Sequence, residues 1–170
     1  MKRIAILLCL MLMLMLMLAA VQPFSAQTRT TPSTSHGAVI KDFDPKRDAA
    51  TDIRAAVAEA TASHRRILLD VGGQWCVWCK YFDVFMDQHP DLRSFRDAHF
   101  VVVKINYSEE NKNTELLSKY PKVPGYPHFF VLDSDGKFLY SQDTSPLEEG
   151  RGYNADRVSD FLHRWALAQK

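Results

Sequence analysis

The chain has 170 residues, 46% of them apolar and 24% charged, with a formal net charge of +1. That length and mixture fit one globular domain with a real core. They exclude a low-complexity chain. No Lys/Arg cluster is interleaved with aromatics, so no nucleic-acid partner is expected.

The first segment stands apart from the rest. Lys2 and Arg3 precede an apolar run, Ile4 to Val21, and then Pro23, Ser25 and Ala26. This is the order of a secretory signal: positive start, apolar middle, small-residue exit. The run is 18 residues long, which is also the lower limit of a membrane span. Residues 1–26 are therefore read as a signal peptide or an uncleaved anchor, the one expected contact with a membrane. Either outcome places the remainder on the outer side, because the positive residues stay inside. Cys9 lies within the apolar run without small residues before it, and is read as a hydrophobe. Losing residues 1–26 removes two positive charges and no negative ones, taking the net charge from +1 to −1. The Thr/Ser-rich stretch 27–40 reads as a disordered linker, and 41–170 as the folded domain.

Within that domain, Asp44-Pro45 supplies a helix start, and Ile53, Ala56, Val57 and Ala60 recur at helical spacing over 45–63. Ile67 to Val71 reads as a buried strand. A helix from the Cys76 region to about Gln88 follows, stopped by Pro90. Asp91 to Ala98 is a short helix or turn with Leu92 and Phe95 inward. Phe100 to Asn106 is β-branched and nearly all apolar, as in a central strand. Asn113 to Tyr120 reads as a helix ended by Pro121. His128–Leu132 and Lys137–Tyr140 flank Asp133-Ser134-Asp135-Gly136, a β-hairpin with its turn residues in place. Gln142 to Gly152 is a polar loop. Asn154 caps a last helix with Val158, Phe161, Leu162 and Trp165 on one face. The order predicts an α/β fold, a mixed central sheet of about four strands with helices on both faces.

The chemistry concentrates in Trp75-Cys76-Val77-Trp78-Cys79-Lys80. Two cysteines three apart at a helix start lie about one turn from each other. The first sits where unpaired backbone N–H groups and the helix dipole favour a thiolate, the nucleophile of disulfide exchange. The pattern is read as a thiol–disulfide redox site, Cys76 attacking and Cys79 resolving. Two other readings compete. Half of a zinc site needs more ligands, but the only other cysteine is Cys9 and the six histidines form no zinc-type pair. A structural disulfide over so short a loop removes little chain entropy. No metal and no cofactor is expected.

Three places resemble the thioredoxin family across about 45–168. The Trp75–Lys80 run resembles the family's Trp-Cys-x-x-Cys-Lys site. Asp70, six residues before Cys76, stands where the family carries a buried acid. Val123-Pro124-Gly125-Tyr126-Pro127 resembles the stretch that ends in a cis-proline beside the disulfide. The export signal and the Trp-Cys-Val-x-Cys-Lys form resemble the exported bacterial thiol:disulfide interchange type. The resemblance implies a thioredoxin fold and a periplasmic oxidoreductase acting on disulfide-containing proteins. It implies Asp70 as the base for Cys79, and Cys79 as the more buried thiol. It implies a docking surface of Trp75, Val77, Trp78, Tyr126 and Pro127, with the Tyr126 backbone pairing to an extended substrate.

Two departures stand out: Val77-Trp78 between the cysteines, and Gly72-Gly73-Gln74 before them. The uncharged Val-Trp pair gives the thiolate no partner beyond the helix end, which favours a reductant over an oxidant. A reductant must be recharged, so a separate membrane or soluble reductase is the expected electron donor. A redox-inert binding or chaperone module, or a metallochaperone, on the same fold is the alternative.

Overall fold

A four-stranded sheet organises the described residues. In a computed structural model, residues 42–167 are described; the predicted signal or anchor, 1–26, and the linker, 27–40, lie outside them. Strand β1 (Arg66–Gly72) pairs in parallel with β2 (Phe100–Asn106), Asp70 opposite Lys104. On its other side β1 runs antiparallel to β3 (His128–Leu132), which pairs antiparallel with β4 (Phe138–Asp143). The four-stranded order is β2-β1-β3-β4, the mixed sheet expected from the sequence, except that β2, expected as a central strand, lies at the edge; it is nearly all apolar because both of its faces are buried.

Alternation along the strands sends side chains to two separate cores. Ile67, Leu69 and Val71 with Val101, Val103, Ile105, Phe130 and Leu132 meet Ala49, Ala56 and Ala60 of helix α1 (Ala49–Ser63). Leu68, Val102, Phe129 and Val131 face the other way. They pack on Phe82, Phe85 and Met86 of α2 (Val77–Gln88), with Val158, Phe161 and Leu162 of the C-terminal helix (Ala155–Trp165). Burying each of these large apolar side chains contributes about 1.5–3 kcal/mol, so both faces anchor the sheet that carries the site.

Several boundaries differ from the sequence expectation. Helix α1 starts at Ala49 and not at Pro45, because Asp48 is the residue that caps it. Its Oδ1 accepts from the Ala50 and Thr51 N–H groups at 2.9 and 3.2 Å. Asp44 closes a turn instead, accepting from the Lys46 N–H at 2.9 Å. Pro90 ends α2 and also opens α3 (Pro90–His99), since a first-turn proline lacks only a donor that would be unpaired anyway. Helix α4 is only Thr114–Leu117; Asn113 enters it at φ +46°, and the turns that follow lead to Pro121. The predicted loop 142–152 has structure of its own. β4 extends to Asp143, a 3-10 turn covers Ser145–Leu147, and β5 (Glu148–Glu149) pairs with β6 (Gly152–Tyr153). Leu147 and Tyr153 hold this segment to the core, and the C-terminal helix, α5, follows, capped by Asn154.

Candidate functional site: a cysteine pair at a helix start

The chain crosses from β1 to α2 through Gly72, Gly73, Gln74 and Trp75. Both glycines are required by space. A Cβ on Gly72 would overlap Cys79 Sγ and come within 3.0 Å of the Phe43 ring. A Cβ on Gly73 would overlap the Trp75 indole and lie 2.8 Å from the Tyr107 carbonyl oxygen. Backbone bonds fasten the crossing: the Cys76 N–H donates to Gly73 O at 3.0 Å, and the Tyr107 N–H donates to Gly72 O at 2.6 Å. The Trp75 indole N–H adds a bond to Tyr107 O at 2.7 Å. The altered approach noted in the sequence is thus a compact turn that folds Trp75 back over itself.

Cys76 is the N-cap of α2, and its Sγ accepts the Cys79 N–H at 3.1 Å. A sulfur that receives a helix-start N–H is electrostatically favoured as a thiolate once reduced. Cys76 and Cys79 are joined as a disulfide, with 5.3 Å between their Cα atoms. Cys79 was expected to be the deeper of the two, yet both residues are 2% exposed. The reason is their shared cover: Phe43, Trp78 and Tyr126 pack around the pair.

The residues predicted to meet substrate divide into two groups. Trp75 and Val77 stand out from the surface, 54% and 53% exposed. Trp75 meets Tyr126 edge-on at 5.5 Å, and Tyr126 stacks on Tyr107 at 4.9 Å, so three rings form a continuous rim. The Tyr126–Pro127 bond is cis, and Pro127 O accepts from Thr144 Oγ1 at 2.7 Å. Trp78 instead turns towards the core. It lies half-buried against Tyr81 and Tyr153, at 5.4 and 6.1 Å, and its carbonyl accepts from the Tyr153 hydroxyl at 3.3 Å.

Asp70 lies beneath the pair. It shares a strand face with Leu68 and Gly72, the face on which Cys79 Sγ rests. It is buried, and among the described residues its Oδ1 has no hydrogen-bond partner. Burial raises its pKa from 3.8 to about 7, offset in part by the Lys104 ammonium and reinforced by Asp83. Lys104 is itself held by both carboxylate oxygens of Asp83 at 2.6 Å, and its Nζ stands 4.7 Å from the centre of the Phe43 ring. A carboxyl that titrates near neutrality can both take and return a proton at ordinary pH.

Sequence reasoning missed Phe43, Tyr107, Asp83 and Lys104. Lys104 carried a signal, as the one charge in an otherwise apolar strand. Phe43 precedes any periodic pattern, and only the folded chain brings it to the cysteines.

Comparison with known proteins bears on this arrangement. Residues 48–134 match the sequence profile of a family described as thioredoxin-like. Disulfide bond reductase DsbH of Chlamydia pneumoniae is 28% identical over 100 residues, covering 54% of this chain and 60% of that protein. Thiol:disulfide interchange protein DsbD of Pseudomonas fluorescens is 27% identical over 120 residues, 70% of this chain but 19% of that protein. A solved disulphide isomerase from Xylella fastidiosa Temecula1 superposes with a TM-score of 0.62 at 30% identity, covering 72% of this chain and 94% of the other. The profile match spans the first helix, β1, the cysteine pair and the sheet as far as β3, and the chain belongs to the thioredoxin-like family.

Proposed function

We propose that the domain is a thiol–disulfide oxidoreductase that reduces protein disulfides outside the cytoplasm, in the bacterial periplasm. The observation that carries this reading is Cys76 at the helix N-cap, its sulfur receiving a backbone N–H and bonded to Cys79 above a buried carboxyl. The names of the relatives, a disulfide bond reductase and a thiol:disulfide interchange protein, support it.

The reaction begins from the reduced pair. The Cys76 thiolate attacks one sulfur of a substrate disulfide. A Cys76–substrate S–S bond forms, the substrate's own bond breaks, and its second sulfur leaves as a thiolate that takes a proton from water. Asp70, ionised, accepts the Cys79 thiol proton. The Cys79 thiolate then attacks Cys76 Sγ, the mixed disulfide breaks, and the second substrate thiolate leaves and is protonated. Two electrons pass to the substrate and Cys76–Cys79 is oxidised. An external dithiol, carried by a separate reductase, must return them.

The rim of Trp75, Val77, Tyr126 and Tyr107 offers apolar area beside the sulfurs. Extended protein segments would lie along Tyr126 and Pro127, with the exposed indole and isopropyl groups against their side chains. Export rests on the sequence of residues 1–26 alone. Fractionation that finds the intact chain in the cytoplasm would remove it.

Reduction of a model protein disulfide such as insulin tests the chemistry. Cys76→Ser should abolish turnover, while Cys79→Ser should form mixed disulfides and stop there. Equal rates for Cys76→Ser and the unsubstituted chain would refute the mechanism.

A further inference from the structure

The segment before α1 is drawn across the Cys79 side of the site. Gln74 Nε2 donates to the Phe43 carbonyl at 3.0 Å, which ties this segment to the turn that precedes the cysteines. The Phe43 ring is 6% exposed and packs against both Cys76 and Cys79. It lies on Gly72, where a Cβ would come within 3.0 Å of the ring, so glycine at that position lets the ring and Cys79 Sγ share the end of β1. Its outer side faces the Lys104 ammonium. A solvent cleft of about 420 Å³ reaches Cys79 here, walled by Phe43, Gln74, Lys80, Asp83 and Lys104. Asp42, beside Phe43, also lines the cleft, and the remaining walls belong to the sheet, α2 or the turn between them. Phe43 is contributed by a segment outside any regular element, tied by the Gln74 bond at Phe43 and by Asn111 Nδ2, which donates to Pro45 O at 2.9 Å.

Resting on the function proposed above, we infer that Phe43 is a positioning residue for the resolving step: its ring walls the cleft at Cys79, limits the water that reaches the sulfur and the carboxyl below, and so confines proton transfer from Cys79 to Asp70. The carboxyl below has an Oδ1 without a partner, so any water admitted past the ring would find an acceptor waiting. Hydration of that carboxyl would favour its charged form and weaken it as a base. The charged and titratable groups that act on Asp70 are Lys104 from β2, Asp83 from α2, Arg96 from α3 and Tyr153 from β6; Asp42 and Lys80 line the cleft beside Cys79, and β3 presents the uncharged Phe129 across from Asp70. None of these is removed when Phe43 is changed; Lys104 loses its contact with the ring but keeps both bonds to Asp83, which hold the ammonium in place.

Single-turnover kinetics in the full-length reduced chain separate the steps: formation of the mixed disulfide, then its resolution, each followed against pH. Phe43→Ala should leave formation within about twofold and move the midpoint of the resolution profile down by about one pH unit, the direction expected when a buried carboxyl is hydrated. Phe43→Leu, which keeps an apolar closure, should restore the profile. Gln74→Ala, which removes the bond at Phe43 O and loosens the ring, should shift the midpoint in the same direction and remains decisive if Phe43→Ala fails to fold. A second reading is alkylation of Cys79 in a Cys76→Ser background, which Phe43→Ala should accelerate about tenfold through exposure. Superimposable resolution profiles with unchanged Cys79 alkylation would overturn the role of Phe43. Absence of any mixed disulfide in the unsubstituted chain would instead overturn the proposed function, and that is seen before any Phe43 variant is compared.

Discussion

Replacing Asp70 by Asn should abolish a specific pH dependence of stability. The carboxyl is buried with an unpartnered oxygen, and its pKa rises from 3.8 to about 7 on folding, chiefly through desolvation. At about 1.4 kcal/mol for each tenfold change in proton affinity, that rise corresponds to about 4 kcal/mol. The sign follows from linkage. Below about pH 4 the group is protonated in both folded and unfolded chains and costs nothing. Between about 4 and about 7 the unfolded chain ionises while the folded chain keeps its proton, so stability falls with rising pH. Above about 7 both are ionised and the loss is constant. Asn does not titrate, so the variant lacks this fall. Urea unfolding of the oxidised protein at pH 4 and pH 8 measures it. The stability of Asp70→Asn relative to the unsubstituted chain should increase by about 4 kcal/mol between those two pH values. Taking the difference cancels every other titrating group. A change below about 1 kcal/mol would show that the carboxyl is solvated in the folded protein, and the base assigned to Cys79 would be lost.

Two further substitutions test the surroundings. Lys104→Met removes the ammonium that holds the Asp70 pKa down, so the Asp70 midpoint, read by carboxyl carbon NMR, should rise above about 7; an unmoved midpoint would mean that Lys104 does not face it. Gly73→Ala places a methyl group against the Trp75 indole and 2.8 Å from Tyr107 O. It should cost about 1–3 kcal/mol of stability and change Trp75 fluorescence, and a neutral substitution would contradict the folded-back turn.

Local spacing made the cysteine pair and the hairpin legible, because Cys76-x-x-Cys79 and Asp133–Gly136 each act within a few residues. The order of elements also made the mixed sheet legible, since strand–helix–strand units pair in parallel and a tight hairpin must be antiparallel. Asp70 and Pro127 were legible only through resemblance; nothing in a lone strand-end acid says that it will be buried. The cover over the sulfurs was not legible at all. Phe43 reaches Cys79 from well upstream, and Tyr107 reaches Trp75 across the sheet, through contacts that no local window contains. Boundaries failed where two signals competed. Asp44-Pro45 reads as the helix start although Asp48 is the residue that caps it, and Pro90, which reads as a stop, also begins the next helix. The 142–152 segment has few apolar residues, and its order comes from Leu147 and Tyr153 docking on a core assembled elsewhere.

The central claim is that Cys76 and Cys79 form a reversible, reducing redox couple. Equilibrium titration of the domain against dithiothreitol and glutathione tests it most directly. No positively charged or strong hydrogen-bonding side chain stands between the cysteines, and a carboxyl lies beneath them, so the thiolate has little beyond the helix start to stabilise it. A single two-electron transition is expected, with a potential below about −180 mV, the level of protein disulfide isomerase. A potential near about −120 mV would make this a disulfide-forming oxidant, and no reversible transition at all would make the pair structural and contradict the account.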